Sequence, residues 1–346
     1  MYNNYGSFIY ALDINTDEKV EDENNINNSN NNYILYFNII NEDINIKNQI
    51  NYYTFNNINI DYENFQWKTY LDINTDINAD TKEKAWYHWI NYGKKEERAF
   101  SYINNSNIHN GRFGNIFFIN LFLHFMSKKY DLKCSYKYEE LFNNLGISFY
   151  KGNKIYSKNL LVTDKNFLYI LKNNLNPCNI IITNNVWFQS KNFCKILHKY
   201  YNRIHKRERI IKKNLYNIRY NNNNDLFIHI RIGDVKNNYY ENIDNIYKRY
   251  KNAIDKINFD KGYITSDTID DPLCIKLIQT YSLIPVIKSE IKTIMFGSTC
   301  NNIILSGGSF SWLIGFFAFF SKNVYYLHTE NKWYGDIFNN KYWIKI

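Results

Sequence analysis

The segment NNIILSGGSFSWLIGFFAFF, Asn301 to Phe320, decides the fold. From Ile303 to Phe320 it holds no charged residue, which reaches the rough threshold of about 18 residues for a membrane helix. Its middle argues against that. Ser306-Gly307-Gly308-Ser309-Phe310-Ser311 reads as a turn, whereas a span this short needs unbroken helix with every backbone group paired. The segment therefore reads as a buried strand, NNIIL, then a turn, then a helix starting near Phe310 to Trp312. No transmembrane segment is expected.

The same grammar extends outward. The turn GRFGN, Gly111 to Asn115, precedes an apolar helix, IFFINLFLHFMSKKY. Strand-like runs then alternate with helical ones: NIIITNNVWF, DLFIHIRI, KGYITSD, LIPVIKS, NNIIL and NVYYLHT. Continuous apolar strands alternating with helices imply an α/β protein whose parallel sheets are covered on both faces. Such open sheets carry their chemistry at the carboxyl ends of the strands.

Composition sets the background. The chain has 346 residues, a mean hydropathy of −0.51 and 18% aromatic residues. About one residue in six is Asn, while Gly numbers 13 and Pro 3, a bias expected of an AT-rich genome. Scarce Pro and Gly with 45% hydrophobic residues exclude collagen-like and globally disordered chains. The five cysteines (Cys134, Cys178, Cys194, Cys274 and Cys300) are odd in number, scattered and without a C-x-x-C pair, so neither a disulfide framework nor a zinc knuckle is expected. Buried thiols of a reducing compartment fit better. The N-terminus, Met-Tyr-Asn-Asn-Tyr, has no basic-apolar signal, and cytoplasmic residence is the expectation.

Charge divides the chain. Residues 1 to 63 hold ten acidic and two basic side chains, and the remainder holds 40 basic and 23 acidic, for a net charge of +9 overall. The expected domains are 1–64, a low-complexity and short-strand region; 65–100, a small helical module; 101–220; and 221–346. The tract EDENNINNSNNN in the first region suits a flexible loop, and residues 33 to 60 alternate in short runs compatible with a hairpin. In the second, Asp80 and Glu83 have capping-box spacing. Ala85, Trp86, Trp89 and Ile90 follow at helical intervals, and Gly93 is a plausible stop. His88, a lone histidine on that helix, reads as structural.

Three strand ends carry the chemistry. The first is His229-Ile230-Arg231-Ile232-Gly233-Asp234: alternation puts His229 and Arg231 on one face, and a guanidinium there suits a phosphate. The same spacing also fits a salt bridge between Arg231 and Asp234. The second, Gly262 to Thr268, ends in Asp267, which can accept from a purine base or a ribose hydroxyl, or cap the next helix. The third is the Ser306–Ser311 turn, where hydroxyls and N–H groups at a helix N-terminus make an anion site. Three Ser and two Gly in six residues exceed what a simple cap requires.

HIRIGD, YITSD and CNNIILSGGSFSW, in that order, resemble the alpha-1,2-fucosyltransferase family (glycosyltransferase family 11), with its H-x-R-R-G-D, S-D-D and C-x-x-x-I-I-x-N-S-S-F-S-W-W blocks. GRFGN resembles the family's G-R-x-G-N-Q turn, and VWFQSKNFC, Val186 to Cys194, its W-x-Q-S-x-x-Y-F segment. The likeness spans about residues 102 to 330. Residues 65 to 98 resemble a two-helix module of giant-virus glycan-synthesis proteins.

The resemblance implies a GT-B-like fold of two Rossmann-like halves with a cleft between them, 101–220 on the acceptor side and 221–346 on the nucleotide-sugar side. It implies GDP-fucose as donor, a glycan acceptor, inversion at the anomeric carbon, and no metal or other cofactor. No D-x-D-like carboxylate pair stands at a strand end of the α/β region. By the same resemblance Arg231 binds the pyrophosphate and stabilises the departing GDP, and His229 and Gly233 shape its loop. Asp267 approaches the guanosine, while Ser309, Phe310 and Ser311 hold phosphate oxygens. Gly111, Arg112, Gly114 and Asn115 face the cleft from the other half. Asp234 is the expected general base, with Glu241 on the loop beyond it. The sequence departs from the family at Ile232, Thr268, Gly307-Gly308 and Leu313.

Two other functions are compatible with the sequence. The basic run KILHKYYNRIHKRERIIKKN, Lys195 to Asn214, with abundant aromatics and a pI near 9.0, suits nucleic-acid binding, although helical spacing also makes it a solvated face; no nucleic-acid partner is expected. Ile232 and Thr268 suit a non-catalytic, lectin-like relative.

Overall fold

The computed structural model describes residues 52–53, 62, 65, 67–96, 98, 103–104, 111–156, 158–182, 186–233, 243–327 and 336–346. The EDENNINNSNNN tract lies outside these residues, as does the hairpin read over 33 to 60 apart from Tyr52–Tyr53.

The strands in chain order are β1 Tyr52–Tyr53, β2 Ile103–Asn104, β3 Cys134–Ser135, β4 Asn159–Val162, β5 Asn179–Ile182, β6 Leu226–Ile230, β7 Gly262–Ser266, β8 Ile284–Pro285, β9 Asn302–Leu305, β10 Asn323–Tyr326 and β11 Trp343–Lys345. The last six form one parallel sheet in the order β11-β10-β9-β6-β7-β8. Counted from β6, that is the doubly wound order, and its reversal point lies between β6 and β9.

Each sheet face has its own core, which is why these strands read as continuous apolar runs. Leu226, Ile228, Ile230, Ile264 and Ile304 pack with Tyr250, Ala253 and Ile254 of the helix Ile243–Ile254 and Leu273, Cys274 and Leu277 of the helix Pro272–Tyr281. The alternate residues Phe227, Ile303, Leu305 and Val324 pack with the helices Glu290–Gly297 and Ser309–Phe316. Burial of this kind stabilises by about 25 cal/mol per Å² of apolar surface.

The second core runs on without a break into residues 111–216. Its centre is the helix Phe113–Tyr130, buried from Phe113 through Ser127 except at Asn115. A helix apolar all round must be enclosed. It packs on the helix Ser309–Phe316, where Phe117 and Phe118 meet Trp312 at ring-centroid distances of 6.2 and 5.0 Å. This region has a three-stranded sheet, β1-β4-β5, with β1 antiparallel to β4 and β4 parallel to β5.

The quoted Asn301–Phe320 segment folds as read: strand β9, a turn, and a helix of eight residues. Among the described residues no helix is long and apolar enough to cross a membrane. All five cysteines are free and buried.

Residues 65–98 hold two helices, Trp67–Ile73 and Lys82–His88, the latter continuing as a π-turn that ends at Gly93. The cap differs by one residue from the sequence reading. Thr81 accepts from the Lys84 N–H at 3.3 Å, while Asp80 pairs with Lys84 Nζ at 2.7 Å. Either residue type can cap a helix, but Asp80 gains an i,i+4 ion pair instead. His88 Nδ1 meets Tyr70 Oη at 2.7 Å, a structural role as expected.

Candidate functional site

The three sequence constellations meet because β6 lies between β9 and β7. In register, His229 stands beside Leu305 on one side and Thr265 on the other. The loop leaving β6 therefore lies within reach of Ser306 from the end of β9 and Asp267 from the end of β7.

Three successive backbone amides of that loop are held by side chains from the neighbouring strands. Arg231 N–H donates to Ser306 Oγ at 3.0 Å. Ile232 and Gly233 N–H donate to Asp267 Oδ1 at 2.8 and 3.2 Å. A carboxylate receiving two backbone donors is a strong tie. At Gly233 an added Cβ would lie 2.8 Å from Asp267 Oδ2, so only glycine fits against the carboxylate without a shift. The cap of the following helix is Asp271, which accepts from Leu273 N–H at 3.0 Å, so the capping alternative for Asp267 is set aside.

Behind the loop is a buried cluster. His229 Nδ1 lies 2.6 Å from Ser311 Oγ and 3.1 Å from Ser306 Oγ, and the two hydroxyls are 3.0 Å apart. The imidazole, 7% exposed, is pushed down to about 4, chiefly by burial. The Asp267 carboxylate opposes that shift and the Arg231 guanidinium adds to it. Phe310 lies against the same ring, with centroids 5.3 Å apart.

At the mouth, Gly308 has φ +99° and ψ 156°, a conformation essentially reserved for glycine. A Cβ there would stand 2.5 Å from Arg231 Nη1. The guanidinium thus lies against the backbone that opens the helix Ser309–Phe316, whose N-cap makes no side-chain hydrogen bond. Ile232, by contrast, is buried among the residues packed under β6. Arg231, and not its neighbour Ile232, stands at the helix N-terminus.

GRFGN joins the site from the start of the helix Phe113–Tyr130. At Gly114 an added Cβ would lie 2.6 Å from Phe310 N and 2.8 Å from Ser309 Oγ, so the two helix N-termini meet backbone to backbone. Asn115 Oδ1 accepts from Ser309 Oγ at 2.5 Å and from Gln189 Nε2 at 2.9 Å. Gly111 packs under the Trp187 ring, where a Cβ would come within 2.8 Å of Cζ3. Arg112 caps the helix Phe113–Tyr130 and is exposed.

Two expected contacts are thereby redistributed. The hydroxyls of Ser309 and Ser311, read as ligand donors, are engaged inside the protein: Ser309 with Asn115, and the wholly buried Ser311 with His229 and Ser306. Asp234 and Glu241 lie outside the described residues.

Gln189 was not singled out in the sequence as a site residue, although it stands inside the VWFQSKNFC motif. Nor was Asp164, which accepts from Trp187 and Phe188 N–H at 3.1 and 2.6 Å and holds Phe188 at φ +54°. Burial raises the Asp164 carboxyl against the pull of those donors. The uncommon positive φ of an aromatic residue has no signal in sequence.

The chain is thus a mixed α/β protein built on a six-stranded parallel sheet, with an arginine, a glycine-opened helix and a buried His-Ser-Ser cluster at the point where strand order reverses. In such sheets that point is where ligands bind. No protein family, curated protein or solved structure matches the chain.

Proposed function

We propose that the protein is a glycosyltransferase of GT-B-like architecture that moves fucose from GDP-fucose to a hydroxyl, the 2-OH in the fucosyltransferase pattern, of a glycan acceptor, with inversion and without a metal. The observation that carries this reading is the position of Arg231. It stands at the switch point of the sheet, its guanidinium against Gly308 at the start of a helix. A planar cation beside helix N–H groups is suited to a pyrophosphate.

In this reading the acceptor oxygen attacks the anomeric carbon as the bond to the β-phosphate oxygen breaks, and GDP departs. Negative charge grows on that phosphate in the transition state, and a preorganised guanidinium in a half-buried site stabilises it. The acceptor's proton passes to a general base, for which Asp234 is the candidate. Asp267 keeps the Arg231 loop closed and stands at the end of β7, on the side where a base or ribose would lie. Asn115 and Gln189 face Ser309 across the junction and are placed to fix the two halves about the acceptor.

A thermal-shift screen of GDP-sugars tests the reading. GDP-fucose at about 100 times its dissociation constant should add about 2.7 kcal/mol of stability. No shift with any GDP-sugar, or an equal shift with UDP-sugars, contradicts it.

A further inference from the structure

Ser306 and Ser311 are too deep to serve a ligand, at 5% and 0% exposure, yet their hydroxyls lie within hydrogen-bond distance of each other and of His229. Ser306 Oγ accepts the Arg231 N–H, and its own proton can go to Ser311 Oγ at 3.0 Å, to His229 Nδ1 at 3.1 Å or, at a longer 3.5 Å, to Gly307 O. Ser311 Oγ is 2.6 Å from Nδ1, and a neutral imidazole has one lone pair there to receive it. In the tautomer with the imidazole proton on Nε2, the chain runs from Arg231 N–H to Ser306 Oγ, to Ser311 Oγ, to His229 Nδ1. Each link polarises the next.

We infer that His229 is a positioning residue that acts through Ser311 and Ser306 on the backbone of Arg231, and so aims the guanidinium at the helix N-terminus beside Gly308. The chain fastens one amide of the loop and Asp267 fastens the next two, from opposite sides of β6. Two fasteners on separate strands have separable effects. Loosening the serine chain frees Arg231 alone and leaves Ile232 and Gly233 held. The consequence for catalysis rests on the proposed role of Arg231 as a phosphate ligand; the hydrogen-bond chain itself does not.

The test is site-resolved amide hydrogen exchange by NMR on the full chain, paired with GDP and guanosine titrations. Ser311→Ala removes one buried oxygen and is the mildest break, and His229→Phe is the stronger one. His229→Asn places an amide oxygen near the former Nδ1 and should rescue. In Ser311→Ala and His229→Phe, Arg231 amide exchange should rise about tenfold, the effect of one lost hydrogen bond, while Ile232 and Gly233 keep their rates. GDP affinity should fall about tenfold in the same variants with guanosine affinity unchanged. Arg231 exchange at the wild-type rate in folded Ser311→Ala, or a uniform rise across all three amides, overturns the positioning role. If wild-type protein fails to bind GDP, the phosphate reading of Arg231 falls, and the exchange pattern still decides the chain.

Discussion

Replacing Gly114 by Ala should loosen the contact between the helices Phe113–Tyr130 and Ser309–Phe316. The added Cβ would stand 2.6 Å from Phe310 N, 2.8 Å from the Ser309 carbonyl carbon and 2.8 Å from Ser309 Oγ. Two of these are backbone atoms, which cannot swing aside as a side chain would. Ordinary contact lies near 3.5 to 4.0 Å, so the helix Ser309–Phe316 must retreat by about 1 Å. Overpacking of this kind costs about 1 to 3 kcal/mol. Retreat also stretches the Ser309–Asn115 hydrogen bond, worth about 1 kcal/mol. Against this stands the helix-propensity gain of Ala over Gly, at most about 1 kcal/mol. The net is about 2 kcal/mol of destabilisation, or a fall of about 3 °C in Tm for a chain of 346 residues. Differential scanning calorimetry reads it directly. A Tm equal to or above wild type would refute the backbone-to-backbone contact, because propensity alone would then be acting.

Acid should weaken the fold well above the range where carboxylates protonate. His229 and His124 are buried and held down to about 4 and about 3, so between pH 6.5 and those values the unfolded chain binds protons that the folded one refuses. Stability therefore falls as pH drops below 6.5, by about 1.4 kcal/mol for each histidine at pH 5.5; equal urea midpoints at pH 7 and 5.5 would contradict this. Gly308→Ala should cost about 1 to 3 kcal/mol for its backbone conformation and also displace the Arg231 guanidinium, so both Tm and GDP affinity should drop; retained GDP affinity would separate Arg231 from that glycine. The basic run should not confer salt-sensitive RNA binding at physiological ionic strength, because Arg209 is bonded to Gly146 O and Ser148 Oγ and Lys206 lies 3.8 Å over the Tyr200 ring; retention on single-stranded RNA that falls steeply with salt would favour the nucleic-acid alternative.

The strands of the large sheet were legible because burial on both faces forces continuous β-branched and apolar runs, and even this Asn-rich background leaves DLFIHI, GYITS and NNIIL distinct. The order of those strands was not legible, since nothing local in LFIHI announces that NIIL and GYITS flank it. Asn159–Val162 went unread, its NLLV too short to stand out from the composition. Ile284–Pro285 was read as a longer strand; its regular register with β7 covers only these two residues, with one further backbone bond from Val286 N–H to Ile264 O at 2.7 Å. The run read as one helical face from Lys195 to Asn214 breaks at Asn202 and Arg203 into the helices Lys191–Tyr201 and Ile204–Lys213.

At the site, residue types were readable and partners were not. Ser306, Ser309 and Ser311 stood out by density in a glycine turn, which suggested hydroxyls for a ligand. Their partners lie 75, 194 and 82 residues away in the chain, at Arg231, Asn115 and His229. Only the fold brings them together, and it turns all three hydroxyls from ligand donors into internal ties. Asp267 shows the same effect: its residue type allowed a cap, but parallel register with β6 gave it the Ile232 and Gly233 amides instead.

The proposed role of Arg231 is to hold the pyrophosphate of a GDP-sugar. It is tested most directly by GDP release from GDP-fucose in the presence of a mixed glycan acceptor, comparing wild type with Arg231→Ala at matched folded fraction. Wild type should release GDP and the variant should lose at least about a hundredfold, the scale of removing one transition-state donor. Equal release by the two proteins would contradict it.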